Sequence, residues 1–516
     1  MSTNTIWFLA AFGVYLAMML GIGAYCMRKN QNADDFFLGG RGLSGWVAAL
    51  SAQASDMSGW LLMGLPGAVY ALGTGQAWIA VGLFLGTVFN WLCISKRLRR
   101  YTIRANNAIT FPEYMENRFH DKKQILLLIS SIVIVIFFLV YTASALAAGG
   151  KLFASVFGMD YTVALTIGAV VILAYTFMGG FLAVCTTDFV QGMLMLVGLL
   201  VVPIAAYFVM GSGNFMTNLE ASLAPESTDG FLSMIRNGER NYSAVEIISQ
   251  LGWGLGYCGM PHILTRFMAV KSEKELKKSR VIAIIWVAIS LGMAVVIGVL
   301  GRAYLYPTLL GSGAADSTEN VFIIMITKLF TEDTRLPFIG GIFLCGILAA
   351  IMSTADSQLL ITASSVSKDL YQGVISRKAS DKKVMKVSRI TVIVVAVLAY
   401  LIALNPESSI MGLVSNAWAG LGAAFGPTVL LSLFWKRTNL AGAVAGIVSG
   451  GLTVIIWDYI PLVGGETLGT ATGLYSLVVG FAVSLLLIVA VSLCTKAPDA
   501  QMVREFEDVA SGNVKE

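Results

Sequence analysis

The stretch Ser51–Gly67, SAQASDMSGWLLMGLPG, decides the fold. It lies in an apolar segment long enough to cross a bilayer, yet it carries an aspartate, Asp56, between Ser55 and Ser58. An ionisable side chain at membrane depth is costly unless it faces a cavity or a partner. Small residues around it allow the helix to unwind, which frees backbone carbonyls for a cation. The stretch predicts a broken helix at an ion or substrate site, although a helix-packing face would also account for its glycines.

Apolar segments of similar length run along the whole chain. Only 13% of the 516 residues are charged, whereas soluble globular proteins carry roughly 25%, so most of the surface must face lipid. The runs are continuous rather than alternating, which predicts helices and not the strands of a barrel. We expect an all-α polytopic membrane protein with thirteen spans, at about 6–26, 46–71, 76–95, 124–153, 160–179, 186–211, 244–269, 281–305, 335–367, 388–404, 410–435, 440–459 and 472–494.

Lysine and arginine are distributed unevenly between the two sets of connecting loops. With the N-terminus outside, 28 of the 35 fall on the cytoplasmic side, eight of them between Lys96 and Lys123, six fall on the opposite side, and Arg266 is left near a helix end. Basic loops remain in the cytoplasm. The predicted location is therefore the cell inner (plasma) membrane, with the N-terminus outside and the C-terminus in the cytoplasm.

A second span is interrupted at Leu251–Phe267, LGWGLGYCGMPHILTRF. Its four glycines and Pro261 disfavour a regular helix. Trp253 and Tyr257 are four residues apart, so we expect them to share one face of a helical turn. They would line a binding site there, or alternatively belong to the aromatic belt at the membrane surface.

A third stretch, Ala349–Leu360 (AAIMSTADSQLL), carries two adjacent hydroxyls inside a long apolar segment. These are Ser353 and Thr354, and Asp356 follows two residues later. Hydroxyls in membrane helices often bond only to the preceding turn, and that alternative stays open. Together with carbonyls from a broken helix, the two hydroxyls could supply an oxygen cage for Na⁺.

Two interrupted spans with four spans between them predict an inverted-repeat transporter. Spans 2–6 and 7–11 would be the two halves. The expected organisation is a first helix with a cytoplasmic loop (1–45), a first repeat (46–211), an extracellular loop (212–243), a second repeat (244–435), two C-terminal helices (436–496) and a mobile cytoplasmic tail (497–516).

Other classes of protein fit the sequence poorly. No cluster of His, Asp and Glu has the spacing of a metal site or a catalytic triad, and no polar segment is long enough for a catalytic domain. An enzyme is therefore not expected. The six cysteines lie apart without a CxxC motif, which is typical of buried apolar residues. A transport-like sensor would need an attached kinase or receiver domain, and the tail is too short for one.

At these motifs the sequence resembles the sodium/solute symporter family. The likeness runs from FFLGGRGLSGW (Phe36–Trp46) to GLVSNAWAGLGAAFGP (Gly412–Pro427). SDMSGWLLMGLPGAV and GWGLGYCGMPHILTRFMA resemble the branch that carries proline rather than the glucose, pantothenate or sialic-acid branches. The resemblance implies the leucine-transporter-like inverted-repeat fold.

The resemblance also implies three groups of functional residues. A sodium site would use the carbonyls of Ala54, Met57 and Ala350 and the hydroxyls of Ser353 and Thr354, with Asp56 required for sodium binding. A substrate site would involve Ser58, Gly59, Tyr141, Trp253, Tyr257 and Pro261. Arg41 and Asp188 would belong to the cytoplasmic end of the sodium path. At Met260 a methionine stands where the family leads us to expect a glutamine.

These expectations combine into one functional prediction. The chain would import L-proline with Na⁺ by alternating access, with Li⁺ as a possible substitute ion. The compact apolar ring of proline suits aromatic faces, and its carboxylate suits the free N–H groups of an unwound helix. The nearest alternative is a sodium symporter of another small amino acid or a carboxylate.

Overall fold

A computed structural model of the chain describes residues 3–27, 33–176, 180–211, 213–224, 228–237, 240–311 and 317–514. It is largely α-helical, as the continuous apolar runs predict. The first half contains α1 (Thr3–Met27), α2 (Ala33–Leu38), α3 (Gly45–Asp56), α4 (Leu65–Leu72), α5 (Ala77–Phe89), α6 (Ser95–Arg104), α7 (Phe111–Arg118), α8 (Ile125–Phe157), α9 (Tyr161–Thr176), α10 (Phe181–Met210), α11 (Asn214–Leu223) and α12 (Thr228–Phe231).

The second half continues the helical pattern and adds two small antiparallel hairpins. Its helices are α13 (Ala244–Leu251), α14 (Pro261–Ala269), α15 (Glu273–Leu305), α16 (Val321–Lys328), α17 (Pro337–Ser364), α18 (Asp381–Ala403), α19 (Ile410–Phe434), α20 (Leu440–Tyr459), α21 (Leu468–Thr472), α22 (Ser476–Cys494) and α23 (Ala500–Ser511). The hairpins pair β1 (Arg236–Asn237) with β2 (Arg240–Asn241) and β3 (Pro461–Val463) with β4 (Glu466–Thr467).

Ten helical stretches in the described residues are long and apolar enough to cross a membrane. Each overlaps one predicted span. The other three predicted spans, at 46–71, 244–269 and 160–179, fall on two broken helices and on the shorter helix α9. The multi-pass helical architecture is therefore confirmed, while the count of thirteen stays a prediction.

Of the ten long stretches, α17 and α19 are the most deeply buried. In each of them 83% of the residues in the apolar 18-residue core of the span are buried, against 33–50% in the other eight long stretches. α17 packs against α1, α8 and α10, and α19 packs against α8, α20 and α22. The hydroxyl-bearing stretch Ala349–Leu360 therefore lies in the most enclosed part of the molecule.

The outer surface carries large apolar side chains on many of the long helices. Phe208 on α10 is 73% exposed and Leu486 on α22 is 68% exposed. Exposed apolar area on this scale is unfavourable in water but is expected of helices that face lipid. The shortage of charged residues in the sequence thus has its structural counterpart in this apolar belt.

The segment after Lys496 differs from the mobile tail predicted from its polar composition. It forms α23. The side chain of Asp499, just before this helix, caps its start by accepting a hydrogen bond from the N–H of Met502 at 2.8 Å. Met502 and Val509 are buried against the neighbouring helices, and Glu505 lies 2.9 Å from Nε2 of His120. The polar composition conceals an amphipathic helix, which is why composition alone suggested mobility.

Candidate functional site

The first broken span unwinds at the aspartate that the sequence singles out. α3 ends at Asp56, and Met57 has non-helical backbone angles (φ −80°, ψ 73°). The N–H of Ser58 donates to the carbonyl of Asp56 at 2.9 Å, so it does not make the regular helical bond to the carbonyl of Ala54. A π-helical turn, Trp60–Gly64, then leads into α4. The break therefore releases the Ala54 carbonyl for other partners.

Two hydroxyls from α17 contact the released carbonyl. Oγ of Ser353 lies 2.7 Å and Oγ1 of Thr354 lies 3.4 Å from the carbonyl oxygen of Ala54. Ser353 also lies 3.2 Å from the carbonyl oxygen of Ala350 in the preceding turn. Bonding to the preceding turn thus occurs, but only as one part of a cluster that spans two helices. We call the carbonyls of Ala54 and Ala350 and the hydroxyls of Ser353 and Thr354 the oxygen cluster.

The oxygen cluster has the chemistry of a site for a hard monovalent cation. It combines two carbonyl and two hydroxyl oxygens, all of them uncharged ligands for a cation, in a fully buried position. Four of the five predicted ligands thus come together. Met57, the fifth, follows α3 directly. That its carbonyl also serves as a ligand stays a prediction.

Asp56 connects the two broken spans. Its Oδ2 accepts a hydrogen bond of 2.6 Å from the hydroxyl of Tyr257 in the second break. Its Oδ1 is buried and has no hydrogen-bond partner within the described residues. The indole N–H of Trp60 donates to the Asp56 carbonyl at 2.9 Å, which fixes the backbone at the break. A buried carboxylate with one oxygen left unbonded is suited to receive a further donor or cation.

The second broken span contains a 3₁₀ segment, Gly252–Gly259, between α13 and α14. Met260 is extended and Pro261 begins α14. This interruption confirms the prediction from its glycines and proline. The tight packing there needs glycine, since a Cβ on Gly256 would lie 2.0 Å from the indole nitrogen of Trp418. The same indole N–H donates to the carbonyl of Trp253 at 2.8 Å.

The prediction that Trp253 and Tyr257 share one face is wrong. A 3₁₀ helix has three residues per turn, so residues four apart point in different directions. Tyr257 faces Asp56, whereas the ring of Trp253 stacks on that of Tyr475, with centroids 5.3 Å apart and planes 23° apart. Of the two, Tyr257 is the one with a hydrogen bond to the first break.

The predicted substrate residues on and near α8 lie around the first break. The buried hydroxyl of Tyr141 lies near the side chains of Ser58 and Trp60 at the break. A Cβ on Gly59 would lie 2.8 Å from the Cβ of Ala148 on α8, so the break approaches this helix closely. The ring of His262, next to Pro261, meets the ring of Tyr141 edge-on at 6.3 Å.

No sequence pattern pointed to a role for His262. Both ring nitrogens of His262 are buried without a hydrogen-bond partner in the described part of the chain. Oδ1 of Asp56, at the break itself, likewise has no hydrogen-bond partner among the described residues. Buried polar groups in native proteins usually have partners, so His262 and Asp56 both keep hydrogen-bonding capacity beside the break.

Asp188 belongs to a buried ionic network that the sequence did not reveal. Its Oδ2 lies 3.2 Å from a guanidinium nitrogen of Arg266, and both side chains are fully buried. Ser51 donates to the same oxygen at 2.7 Å, and Arg266 donates to Ser357 at 2.5 Å. The network links α3, α10, α14 and α17. The sequence pointed to Asp188 but not to its partner, because Arg266 lies in a different span and no local pattern joins the two.

Arg41 bonds to two side chains and two backbone carbonyls, and Asp188 is not among these partners. Its guanidinium donates to the carbonyl of Met268 at 2.6 Å and to that of Ala108 at 2.8 Å. Burial lowers the pKa of Arg41 to about 10, so it remains charged at neutral pH. Arg41 and Asp188 therefore act on different residues of α14, through Met268 and Arg266 respectively. A shared ion path for them stays a prediction.

Comparison with known proteins gives a consistent result over the length of the chain. A model of the sodium:solute symporter family matches residues 36–450. The sodium/proline symporter of Escherichia coli is 45% identical over 502 residues, 97% of this chain and 95% of that protein. The osmoregulated proline transporter of Bacillus subtilis is 44% identical, with 96% of each chain covered.

Solved structures share the fold at lower sequence identity. A Na⁺-coupled sialic acid symporter in a substrate-bound, outward-open state aligns with a TM-score of 0.75 and 21% identity, covering 96% of this chain and 98% of that one. Mhp1, a nucleobase-cation-symport-1 family transporter, aligns with a TM-score of 0.53 and 14% identity, covering 93% and 99%. These likenesses confirm the expected leucine-transporter-like fold.

Proposed function

Because the chain belongs to the sodium:solute symporter family, we propose that it imports L-proline together with Na⁺ by alternating access. The full-length relatives named for sodium/proline symport or proline transport support this substrate and ion. The observation that carries the proposal is the oxygen cluster, in which hydroxyls of Ser353 and Thr354 meet the carbonyl of Ala54 at the break of the first interrupted span.

Sodium binds at the oxygen cluster. In the structure the hydroxyl of Ser353 donates to the Ala54 carbonyl. When the ion enters, this hydroxyl rotates so that its lone pairs, together with the carbonyl oxygens, face the cation. Ala350, Thr354 and Met57 complete the set of oxygen ligands, and Li⁺, which also favours oxygen ligands, is a candidate substitute.

Proline binds between the two breaks, on the far side of Asp56 from the cluster. Ser58 offers its hydroxyl and Gly59 its backbone N–H at the unwound turn, where N–H groups at the start of a helix half can meet the carboxylate. The faces of Tyr141 and Tyr257 and the ring of Pro261 suit the apolar pyrrolidine ring. Trp253 borders the site from the side of its stacking partner Tyr475.

Coupling follows from the position of Asp56 between the two sites. Sodium orders the break and brings Asp56 and Tyr257 into a fixed arrangement, so proline binds more tightly when the ion is present. By linkage, proline raises the affinity for sodium by the same factor. A membrane potential of 100 mV adds about 2.3 kcal/mol per charge moved inward, and zwitterionic proline contributes no net charge. Asp188 and Arg41 lie on the route by which sodium leaves to the cytoplasm.

The proposed orientation in the inner membrane has the N-terminus outside and the C-terminus in the cytoplasm. The structure supports it because basic side chains bond to carbonyls at helix ends on one end of the bundle. Arg41 and Arg99 donate to carbonyls in the last turn of α14 and just after it, and Arg97 and Arg118 donate to carbonyls at the end of α19. Cations at helix C-termini are favourable, and clustered lysine and arginine mark the cytoplasmic side.

The experiment that tests the proposal is uptake of labelled proline into proteoliposomes. With an inward sodium gradient we expect accumulation, and without it we expect only equilibration. Proton-driven uptake of equal size in the absence of sodium would contradict the ion assignment. A panel of unlabelled small amino acids and carboxylates, added in competition, decides the substrate. Stronger competition by another solute than by proline would favour the alternative symporter.

A further inference from the structure

The helix α23 lies across one end of the bundle and contacts three other elements there. Oε1 of Glu505 lies 3.7 Å from Arg104 in α6, and Oε2 lies 2.9 Å from Nε2 of His120, which follows α7. Glu507 lies 3.7 Å from Nζ of Lys436, which follows α19. Because α23 ties α6 to the ends of α7 and α19, we call it the strap.

The elements under the strap lead directly to the second break. α6 packs against α14, which begins where that break ends. α19 packs against the 3₁₀ segment Gly252–Gly259 of the break itself. Alternating access requires one part of such a fold to move relative to another. A docked strap resists relative motion of α6, α7 and α19, and a released strap permits it.

His120 lies between two carboxylates at the start of the strap. Its Nε2 is 2.9 Å from Oε2 of Glu505, and its Nδ1 is 3.5 Å from Oδ2 of Asp499. A neutral imidazole has one N–H group and one lone pair, so it donates to one carboxylate and turns a lone pair towards the other. A protonated imidazole donates to both. The geometry therefore matches the protonated side chain, and loss of the proton breaks one of the two contacts.

The charged groups around this imidazole come from every element packed against it. α6 contributes Arg104, α7 contributes Glu116, the segment before α8 contributes Asp121 and Lys122, and the strap with its N-cap contributes Glu505 and Asp499. Four of these six groups are carboxylates, so the surroundings carry a net negative charge. The N–H of Met502 lowers the pKa of the Asp499 carboxyl, and His120 lowers it further. Asp499 therefore stays ionised over the pH range in which an imidazole changes charge.

We propose that the strap is a proton-sensitive regulatory element, which docks and slows transport when His120 is protonated and releases when His120 loses the proton. Imidazole is the side chain whose charge ordinarily changes between about pH 5 and 8, and that of His120 is 24% exposed to solvent. A fall in cytoplasmic pH therefore strengthens docking, and a rise weakens it. The inference rests on the proposed function for the transport that is slowed and for the cytoplasmic side of the strap.

The strap also has a structural alternative, in which it is a permanent part of the fold. Met502 and Val509 are buried against the neighbouring helices, and Arg104 lies 3.4 Å from Asp508. Neither contact involves an imidazole, the group that titrates in this range. A permanent strap therefore predicts the same docking throughout the range, whereas the proposal predicts docking that weakens as the pH rises.

Two variants change the imidazole contact and one leaves it intact. His120→Gln keeps a donor and an acceptor but carries no charge at any pH. Asp499→Asn removes one carboxylate but keeps the helix start, because asparagine and aspartate cap helices about equally well. Glu507→Gln is the matched control, since it removes an acidic group of the strap whose partner is the exposed Lys436.

Docking is measured by amide hydrogen exchange of the purified protein at about pH 6, 7 and 8, with each rate corrected for intrinsic exchange at that pH. We expect the protection of α23 to fall about fivefold to tenfold from the lowest pH to the highest in the unmodified chain and in Glu507→Gln, as for the loss of one charge-assisted hydrogen bond. It should be low and constant in His120→Gln and change less than about twofold in Asp499→Asn, with α20 as the internal reference. Constant protection of α23 in the unmodified chain, or an equal pH effect in His120→Gln, would overturn the proposal.

The regulatory role is measured as the initial rate of sodium-driven proline uptake, with the pH varied only on the side that carries α23. We expect Vmax to be about fivefold lower at the acidic end in the unmodified protein and in Glu507→Gln, because conformational steps limit many turnover rates. It should be constant in His120→Gln, which experiences the same proton gradient. Protection of α23 that varies with pH while Vmax does not would overturn the regulatory role. Hydrogen exchange needs no transport, so failure of the proposed function would appear as absent uptake in every variant while the docking result stands.

Discussion

The hydroxyl of Ser353 lies 2.7 Å from the carbonyl oxygen of Ala54, although 299 positions separate them in the sequence. The contact forms because α3 unwinds at Asp56 and leaves the Ala54 carbonyl without its helical N–H partner. It joins the first broken span to α17, one of the two most deeply buried long helices. A bound cation must replace this hydrogen bond, so ion binding and the geometry of the break depend on each other.

Tyr257→Phe is expected to raise the KM for proline, for sodium, or for both by about tenfold. The change removes the hydroxyl that donates to the buried Oδ2 of Asp56, and a hydrogen bond to a charged group contributes about 1.5–3 kcal/mol. Initial-rate uptake at varied sodium and proline measures it. Tyr101→Phe is the matched control, because the buried Tyr101 hydroxyl has no hydrogen-bond partner in the described residues. Equal kinetics for both variants would remove Tyr257 from the coupling mechanism.

Asp188→Asn and Arg266→Gln should each destabilise the protein strongly, while the stability of the double variant should be closer to that of the unmodified chain. Each single change leaves one fully buried charge without its partner at 3.2 Å, which costs about 3–5 kcal/mol. The double change leaves no unpaired charge. Thermal unfolding in detergent of all four proteins gives the coupling energy. Strictly additive losses of stability would show that the two residues are not paired.

Gly254→Ala is expected to prevent normal packing of the second break against α5. A Cβ at Gly254 would lie 2.1 Å from the carbonyl oxygen of Gly82, so the backbones must separate. The amount of monodisperse protein after solubilisation measures this. Gly292→Ala is the control, because a Cβ on Gly292 in α15 meets nothing within 4 Å, and alanine is the better helix former by about 1 kcal/mol. Normal yield of Gly254→Ala would contradict the close approach.

Disruption of the contact between His120 and Glu505 is expected to expose α23. Nε2 of His120 lies 2.9 Å from the Glu505 carboxylate, and the buried face of α23 holds Met502 and Val509. His120→Ala should speed tryptic cleavage after Arg504 and lower amide protection across α23. Glu507→Gln is the control, because its pair with a lysine is exposed on both sides and such pairs contribute about 0–1 kcal/mol. Unchanged cleavage in His120→Ala would show that this contact does not hold the helix.

The positions of both helix breaks could be predicted from the sequence, since an aspartate among small residues and a run of glycines are local signals. The contacts across the bundle could not. Arg266 meets Asp188 over a separation of 78 residues, and no short pattern encodes such pairing. The stacking of Tyr475 on Trp253 was not predicted, for the same reason. The orientation of Trp253 was mispredicted because the rule for residues four apart holds in an α-helix and fails in the 3₁₀ segment.

The most direct test of the account is the sodium activation curve of proline uptake by Ser353→Ala and Thr354→Ala. Ser364→Ala is the matched control, because its hydroxyl also lies in α17 but bonds only to the carbonyl of Ile361 in the preceding turn, at 2.8 Å, among the contacts described. We predict that the sodium concentration for half-maximal uptake rises at least about tenfold in the first two variants, each of which loses an ion ligand, and stays unchanged in the control. If Ser353→Ala and Thr354→Ala kept the sodium dependence of the unmodified protein, the oxygen cluster would not be the sodium site.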